Sequence, residues 1–468
     1  MENNNQERGK FSSNFGFLMA AVGSAVGLGN LWGFPYKMGN GGGFAFLLLY
    51  IFLAVFVGYA CMLGEFSLGR KGQLSAVGSY EKCDRRFAFN GWLAVLVPFF
   101  LLSFYCTLGG YVTKYMVANL GDIFGASWGV NGVNSEEYFN GFIGSGAPAV
   151  IYGIIFLVLT VLIVMGGVSG GIEKFSIIAM PALFVLLVVV VIRSVTLPGA
   201  AEGLAFMFKP DFSVFKGTGW IKVLASAGGQ IFFSLSLASG CMIVYGSYLD
   251  KKENLEVNAI LVPICDTSVA LLAGLATLPA TFAMGMEPAA GPGMLFVTLQ
   301  AVFGAMGSAG PIFGFVFYLL VFFAALTSSI GMMEGAVSAF MDRAAEKGKK
   351  PNRTLLSWII AAISGVGSLI VSIDALGAGP LPKPFGLSTW LDAFDLFAEG
   401  LMMPIGCLVM ALLLGWFHPD YIDDEVRLGS SYKTKGFVKF CLRWIAPPFM
   451  VFIFIGQMDG FFNLGLFS

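Results

Sequence analysis

The sequence GSAVGLGNLWGFPYKMGNGGG, residues 23–43, decides the fold because it sets helix-breaking residues inside a run long enough to span a membrane. Four glycines and a proline fall between positions 23 and 35, and each glycine inside a helix costs about 1 kcal/mol relative to alanine. Small residues spaced four apart also let two membrane helices pack closely. This stretch alone therefore leaves two interpretations open, a packing surface and a break in the helix.

The rest of the chain is composed like an integral membrane protein. Its 468 residues are 57% hydrophobic and only 12% charged, and the mean hydropathy of +0.81 is well above that of soluble domains. Long apolar runs, each able to cross roughly 30 Å of hydrocarbon, predict an all-α bundle of eleven spans rather than a β-barrel with short alternating segments. The runs lie near residues 14–38, 41–69, 88–122, 148–166, 172–194, 218–248, 257–285, 306–341, 354–373, 390–417 and 437–457.

The distribution of basic residues predicts the orientation, because short cytoplasmic loops are enriched in Lys and Arg. The loop 123–147 has two glutamates and no basic residue. We therefore expect the N-terminus in the cytoplasm and the C-terminus outside, with residues 1–12 as a cytoplasmic segment and no cleavable signal peptide. The basic clusters are Arg70, Lys71, Lys82, Arg85 and Arg86 after the second run, and Arg343, Lys347, Lys349, Lys350 and Arg353 after the eighth.

The reactive residue types argue against an enzyme. The single histidine, His418, follows the tenth run, which leaves no plausible Ser/His/Asp triad and no histidine cluster for a transition metal. The seven cysteines fall in or at the ends of apolar runs without metal-ligand spacing, so we interpret them as small packing residues. The net charge of −1 gives no reason to expect a nucleic-acid partner.

A second interruption favours the helix break over the packing surface. The sixth run contains the small, polar sequence FFSLSLASG at residues 232–240. Paired interruptions at corresponding positions of two halves are the best sequence indication of a midplane binding site in a transporter. Half-helix N-termini attract anions, while free carbonyls attract cations. The sequence thus predicts a cargo that carries a carboxylate and travels with a cation.

Polar residues in other runs could complete this site, and each has a simpler interpretation. Asp266 lies within the seventh run, either ionised beside a cation or protonated and bonded to a neighbouring helix. The hydroxyls at residues 327–329 are hard ligands suited to an alkali cation, or they bond back to carbonyls one turn earlier. Tyr105 and Phe233 either reach the substrate or are ordinary core aromatics.

Five motifs in this order resemble the neurotransmitter:sodium symporter family, in particular its bacterial amino-acid transporters. They are GSAVGLGNLWGFP, NGGG, GEFSLGR, GQIFFSLSLASG and AALTSSI, and the resemblance covers nearly the whole chain. It implies a single transporter domain that works by alternating access, with helices 1 and 6 unwound. The implied parts are a first repeat of five helices at 13–195, an inverted second repeat at 196–417, and a cytoplasmic loop with helix 11 at 418–468.

The resemblance also implies two sodium sites beside one substrate. The first sodium site would use Ala25, Asn30, Ser234, Asp266 and the substrate carboxylate. The second would use the carbonyls of Gly23, Val26 and Ala324 with the hydroxyls of Thr327 and Ser328. The substrate would contact Ser24, Ala25, Leu28, Gly29, Leu101, Tyr105, Phe233, Ser234, Ser236, Ser239, Ser328 and Met332.

Two departures from the family pattern bear on the cargo. Gly27 stands where monoamine carriers of the family have an aspartate, which favours an α-amino acid that brings its own carboxylate. Chloride-dependent members build an anion pocket from Tyr, Gln, Ser, Asn and Ser. This chain keeps the first three, and its fixed carboxylate at the fourth position predicts chloride-independent transport. The corresponding residues here are Tyr50, Gln230, Ser234, Asp266 and Ala270.

The family pattern also implies gates on both sides of the site. The outer gate of the family pairs an Arg with an Asp, but here the Arg position is Gly33, so we expect Lys37, one turn further out, to form a looser gate with Asp395, directly or through water. On the inner side, the resemblance implies an ion pair of Arg8 with Asp342. The residues matched at the inner side are Arg8, Phe11 (for the family's Trp), Asp342 and Tyr248.

The fifth run resembles a family motif that unwinds to hydrate the second sodium ion. Gly171 begins it, and Pro181 follows after nine residues. Proline cannot donate to the carbonyl four residues back and glycine frees the turn, so the motif predicts either local unwinding or a simple kink.

These observations predict a sodium-coupled symporter in a bacterial plasma membrane that carries a neutral, hydrophobic or aromatic L-amino acid inward. A proton-coupled carrier in which Asp266 titrates, and a transporter-like sensor that binds without transport, are the alternatives. We expect two sodium ions and no chloride. A dimer through the twelfth helix of longer relatives is not expected, and the oligomeric state is open, with a monomer as one option.

Overall fold

The computed structural model describes residues 9–286, 288 and 293–467. Across these residues, nine unbroken helices are long and apolar enough to cross a membrane, and a bent pair adds a tenth if it counts as one span. This confirms the predicted all-helical membrane fold. The helices used below are α1 (Asn14–Ala25), α2 (Gly29–Asn40), α3 (Phe44–Gly72), α4 (Arg85–Ile123), α5 (Ala147–Met165), α6 (Val168–Val195), α7 (Gly219–Ser234), α8 (Cys241–Ser247), α9 (Leu255–Ala283), α10 (Gly307–Glu346), α11 (Arg353–Gly377), α12 (Trp390–Phe417) and α13 (Lys435–Phe462).

The first interruption lies between α1 and α2, whose axes differ by 47°. Ser13 begins α1 by accepting a hydrogen bond from the backbone N–H of Gly16, at 2.9 Å, as an N-cap residue does. After Ala25 the backbone becomes extended at Val26 and turns helical again at Leu28. The predicted break in the glycine-rich stretch is therefore present.

The second interruption separates α7 from α8 at residues 235–240. Ser236 and Ala238 adopt left-handed conformations there, with φ of 52° and 57°, and such a conformation costs roughly 1–2 kcal/mol for a residue with a side chain. Neither α7 nor α8 alone has the length of a span. The predicted count of eleven spans depends on joining them, and it stays a prediction.

Long helices surround the interruptions. α1 packs against α6, α9 and α10, while α7 packs against α3 and α13. α4 is a central support that packs against α5, α10 and α11. Apolar side chains also point outward, for example Ile178 and Val185 of α6, which are 72% and 64% exposed, as expected for a surface that faces lipid. The interruptions consequently lie inside the bundle.

Candidate functional site

The two interruptions meet at the centre of the bundle. Ser236 Oγ, in the second interruption, donates to the carbonyl of Ser24 in α1 at 2.9 Å, and Ser239 Oγ donates to the carbonyl of Ser236 at 2.6 Å. The ring of Phe233 lies against Gly29, where a methyl group would come within 2.7 Å of the ring. Residues predicted from both stretches to contact substrate therefore lie together.

α4 completes the wall opposite these breaks. The hydroxyl of Tyr105 accepts a hydrogen bond from the backbone N–H of Leu28 at 3.0 Å, so it lies at the first interruption. Leu101, one turn away on α4, and Met332 on α10 are both buried. Ala25 ends α1 and is buried as well.

A buried carboxylate stands beside the site. Asp266 accepts hydrogen bonds from Asn30 Nδ2 at 2.8 Å, Ser234 Oγ at 2.9 Å and Tyr50 OH at 3.1 Å. Asn30 in turn accepts from the backbone N–H of Gly27 at 3.0 Å. The structure thus brings together the three side chains predicted for the first sodium site, from α2, α7 and α9.

The residues of the predicted anion pocket surround the same carboxylate. Tyr50 contacts Asp266 directly, and Gln230 Nε2 donates to the carbonyl of Gly29 at 2.7 Å. Ala270, one turn after Asp266, is fully buried and supplies no hydroxyl. The carboxyl group of Asp266 therefore lies beside two of the residues that match the predicted anion pocket, Tyr50 and Ser234.

A second group of oxygens lies where α10 crosses the end of α1. Ser328 Oγ lies 3.2 Å from the carbonyl oxygen of Gly23 and 3.1 Å from that of Val26. Thr327 Oγ1 donates to the carbonyl of Ala324 at 3.0 Å, and it also bonds back to Phe323. Hydroxyl and carbonyl oxygens are the ligand type that suits an alkali cation, so the five groups predicted for the second sodium site lie on facing segments.

Two glycines keep the site free of side chains. A methyl group at Gly27 would overlap the Ser328 hydroxyl and come within 2.5 Å of the Tyr105 hydroxyl. A methyl group at Gly331 would overlap the Ser24 hydroxyl. An aspartate at position 27, as in the monoamine carriers, would not fit this arrangement.

The ion pair of Lys37 differs from the predicted one. Lys37 Nζ lies 2.6 Å from Glu399 Oε1, whereas Asp395, the expected partner, lies one turn earlier on α12. The two carboxylates lie four residues apart on one face of α12, and sequence spacing does not show which of them meets Lys37 directly. Glu399 was not among the residues predicted from the sequence, and a looser gate of Lys37 with Asp395 stays a prediction.

A cluster of charged and polar groups surrounds Tyr248 on the side of the predicted inner gate. It includes Glu334 and Arg353, which were not predicted as gate residues from the sequence. Tyr248 OH donates to Glu334 at 2.6 Å, and Arg353 makes an ion pair with the same carboxylate at 2.6 Å. Asp342 accepts from the backbone N–H of Ser75 at 2.6 Å. Arg8 lies outside the described residues, so its pair with Asp342 stays a prediction. The carboxylate of Glu334 within the apolar eighth run was the available signal.

The predicted unwinding segment begins α6 with an irregular turn. Gly171 lies in a wide π-helical turn over Val168–Glu173, and Pro181 lies two turns further inside the helix. Glu173, also missed, accepts hydrogen bonds from the backbone N–H and hydroxyl of Ser12 at 2.8 and 2.7 Å. It also accepts from the hydroxyl of Ser13 at 3.1 Å. The segment before α1 is thereby fastened to the start of α6.

Comparisons with known proteins agree with this geometry. The model of the sodium:neurotransmitter symporter family matches residues 8–142 and 140–466. The sodium-dependent transporter YhdH of Bacillus subtilis is 36% identical over 95% of this chain and 97% of its own. A sodium-dependent transporter of Methanocaldococcus jannaschii is 33% identical over 94% of this chain and 88% of its own.

A solved structure has the same fold. The crystal structure of MhsT in complex with L-phenylalanine superposes with a TM-score of 0.87 at 35% identity. The alignment covers 96% of this chain and all of that one. The chain belongs to the sodium:neurotransmitter symporter family, and it is a multi-pass, sodium-dependent membrane symporter rather than an enzyme.

Proposed function

We propose that this symporter moves a neutral L-amino acid with a large hydrophobic or aromatic side chain into the cell, coupled to sodium at two sites. The main support is Asp266, a buried carboxylate held by Asn30, Tyr50 and Ser234 beside both interruptions. Such a charge attracts a cation 4 Å away by about 4 kcal/mol at an effective dielectric constant near 20. Each charge that enters across 100 mV contributes roughly 2.3 kcal/mol more.

The ends of the broken helices suit an α-amino acid. The start of α2 offers backbone N–H groups to a carboxylate, with the Tyr105 hydroxyl beside Leu28. The end of α1 and the interruption at 235–240 offer carbonyls to an ammonium group. Gly27 supplies no carboxylate of its own, so the substrate has to bring the negative charge next to the first sodium ion.

The part of the site that would hold the substrate's side chain favours a large, uncharged group. Leu101 and Met332 are flexible apolar walls, and both are buried. The related transporter MhsT was crystallised with L-phenylalanine, and its 35% identity to this chain supports a similar cargo.

Chloride-independent transport is part of the proposal. The Asp266 carboxylate lies against Tyr50 and Ser234, two of the groups that would otherwise hold the anion. It supplies the negative charge permanently, and a chloride ion in the same place would be repelled by it.

The proposal also covers the membrane location, the topology and the inner side of the transporter. We place it in the bacterial inner membrane, N-terminus cytoplasmic and C-terminus outside, with the repeats at 13–195 and 196–417 and the last segment at 418–468. Residues 1–12 and the Arg8–Asp342 pair would close the inner side, and the segment from Gly171 to Pro181 would unwind to release the second sodium ion. Its oligomeric state is open, and a monomer is sufficient for this mechanism.

The first experiment is a thermal-shift screen of the twenty amino acids with purified protein, in sodium and in potassium. We expect the melting temperature to rise only in sodium, and most with large hydrophobic or aromatic amino acids, because ligands that bind the native state stabilise it. Uptake into proteoliposomes should then follow the sodium gradient and continue when gluconate replaces chloride.

Each alternative makes a different prediction in the same assays. Uptake at fixed pH that continues when potassium replaces sodium would favour a proton-coupled carrier. Sodium-dependent binding without counterflow would favour a sensor. Uptake that collapses in gluconate would contradict chloride independence.

A further inference from the structure

We propose that Arg443, held between α12 and α13, binds the phosphate of an anionic phospholipid on the side of the membrane predicted to be cytoplasmic. This site is separate from the substrate and sodium sites, and it needs neither ligand. It gives the last span, α13, a part in recognising the membrane that surrounds the protein.

The site lies at the depth of the lipid headgroups. Gly406 of α12 is beside the second interruption, because a methyl group there would come within 2.9 Å of the side chain of Ala238. Trp416 follows ten residues later on the same helix, which is about 15 Å at the rise of an α-helix. Half of a hydrocarbon core of about 30 Å has the same thickness. Trp416 is therefore at the boundary between acyl chains and headgroups.

Contacts between α12 and α13 fix the arginine at this depth. Arg443 Nε donates to the carbonyl of Gly415 at 2.9 Å, and Trp416 Nε1 donates to the carbonyl of Arg443 at 3.1 Å. The guanidinium carbon lies 5.4 Å from the centre of the Trp416 ring, within the range of a cation–π contact. A methyl group at Gly415 would come within 2.8 Å of the carbonyl oxygen of Leu442, so glycine permits this close approach. The side chain is thus oriented before a ligand binds.

The guanidinium group keeps donors for a ligand. Arginine carries five N–H groups, and within residues 9–286, 288 and 293–467 only the Nε of Arg443 has an acceptor. Its side chain is half-buried in a membrane-spanning helix, where an uncompensated charge is costly. The terminal nitrogens form a planar fork that suits two oxygens of a phosphate.

The acidic side chains nearby are already engaged by other basic residues. Each of the four acidic residues in the loop 418–434 has an ion pair of its own, and so does Asp84, which contacts the end of α12 through His418. The pairs are Asp84 with Arg86 and His418, Asp420 with Lys439, Asp423 with Lys435 and Lys439, Asp424 with Lys71, and Glu425 with Arg70. Arg443 consequently contributes a positive charge that the described part of the protein does not compensate.

Exposed apolar side chains continue the site towards the acyl chains. Trp416 and Trp444 pack edge to face with ring centres 4.9 Å apart, and they are 47% and 55% exposed. Val451 and Phe452 lie two turns further into the membrane on α13 and are exposed as well. Tryptophan favours the interfacial layer, and the residues below it suit acyl chains. The surface therefore matches a phospholipid rather than a free anion.

The charge of Arg443 favours a lipid with a net negative headgroup. Basic pockets between spans on the cytoplasmic side are typical sites for anionic lipids. Phosphatidylglycerol has a phosphate without a counter-charge, whereas phosphatidylcholine has the same phosphate beside a permanent ammonium group. Comparing these two lipids thus isolates the contribution of charge.

The test counts lipids bound to the purified, delipidated protein by native mass spectrometry in a neutral detergent. We expect the first dioleoyl phosphatidylglycerol to bind about tenfold more tightly than the first dioleoyl phosphatidylcholine, and Arg443→Gln to remove this preference. Arg443→Lys keeps the charge but loses the planar fork, so it should lower the preference about threefold. Arg427→Gln is the matched control and should change nothing, because Arg427 is an exposed arginine in the loop 418–434 on the same side of the protein.

A second measurement places the lipid beside α13. Brominated phosphatidylglycerol quenches the fluorescence of tryptophans that its acyl chains reach, and brominated phosphatidylcholine corrects for unselective contact. We expect the difference in quenching between the two lipids to fall about twofold in Trp444→Phe, because Trp444 is one of two exposed rings at Arg443. Trp358→Phe, which changes an exposed tryptophan of α11, is the control and should keep the full difference.

Each contrary result overturns the site. Equal affinity for the two lipids, or an unchanged preference in Arg443→Gln, would mean that Arg443 does not select an anionic headgroup. A melting temperature raised equally by inorganic phosphate and by phosphatidylglycerol would assign the arginine to a free anion. A lipid-free dimer that is lost in Trp444→Phe would assign the surface to a second copy of the chain.

Folding and cargo are controlled separately. Melting temperatures identify any variant that fails to fold. If Arg443→Gln is one of them, Arg443→Lys carries the test, and a preference equal to that of the parent chain would contradict the role of the fork. The binding and quenching measurements use neither sodium nor an amino acid, so their failure would leave the proposed transport function untouched.

Discussion

Asp266 is the residue on which the chemistry of the site depends. Its carboxylate is held by one amide and two hydroxyls, all neutral donors, so its charge is oriented without being neutralised by them. Buried charges are costly unless they are paired, and a bound sodium ion would supply the missing partner. If sodium binds there as proposed, its binding and the integrity of the site are coupled through this side chain.

Replacing this carboxylate tests its electrostatic role. We expect Asp266→Asn, which restores the family's anion-pocket residue, to lower apparent sodium affinity at least about tenfold and to make uptake depend on chloride. Initial uptake rates in proteoliposomes with chloride or gluconate measure both effects. Ala270→Ser, which adds the pocket's last hydroxyl but keeps the carboxylate, is the control and should stay chloride-independent. Chloride-independent uptake in Asp266→Asn would show that the carboxylate does not replace the anion.

The residues that lie together in the site could be predicted where the sequence follows the family motifs, and less well where it departs from them. Asn30 and Ser234 could be grouped because their motifs match closely, and Asp266 because it is a carboxylate within an apolar run. The partner of Lys37 could not, since Asp395 and Glu399 lie on one face of α12 and the reach of a lysine side chain covers both. Glu399 lies against Gly229 of α7 and 3.3 Å from Gln457 Nε2 of α13, two residues that are distant in sequence and carry no motif.

At the scale of elements, the sequence indicated both interruptions and one of two wide turns. Glycines and small polar residues indicated the breaks near α2 and before α8. The π-helical turn at Val168–Glu173 contains Ser169, Gly170 and Gly171, where Gly171 had predicted an unwinding or a kink. The turn at Leu396–Met402 has one glycine and no small polar residue, so its sequence did not indicate it. The attachment of the N-terminal segment to α6 was likewise hidden.

That attachment predicts how the inner side opens. Glu173→Ala removes three hydrogen bonds from Ser12 and Ser13, and hydrogen bonds to a charged group contribute about 1.5–3 kcal/mol each. We expect faster hydrogen exchange over residues 9–16 and 168–173 and a larger inward-open population. Exchange followed by mass spectrometry provides the measurement.

Glu346→Ala is the matched control, because this glutamate pairs with Arg343 on the surface of α10. It should leave exchange over residues 9–16 unchanged. Equal exchange in Glu173→Ala and the parent chain would mean that the segment is held by other contacts, such as Phe11 against Tyr245 and Tyr248.

At the scale of the whole molecule, the architecture follows from composition and from the meeting of two broken helices. Hydropathy predicted the helical bundle, and the family motifs predicted which segments surround the site. Neither predicted that Gln457 of α13 contacts Glu399 of α12, because a single sequence does not show which side chains of distant spans pack together. The overall orientation is still a prediction from the basic residues.

The orientation can be tested with two inserted protease sites. We expect a site after Gly132, in the loop without basic residues, to be cut from outside intact cells, and a site after Gly348, beside Lys347 and Lys349, to be protected. Lysed cells should show cleavage at both. Cleavage after Gly348 in intact cells, with protection after Gly132, would reverse the proposed topology.

The left-handed backbone at Ala238 has a practical consequence for protein engineering. Its N–H donates to Glu65, whereas the side chain is a single methyl group in a conformation that favours glycine. Ala238→Gly would relieve that strain and keep the hydrogen bond, offset in part by the greater freedom of glycine in the unfolded chain. The neighbouring Ser236 offers no such opportunity, because its hydroxyl binds Ser24. Position 238 is thus a starting point for a thermostabilised variant suited to crystallisation, with the substrate contacts left intact.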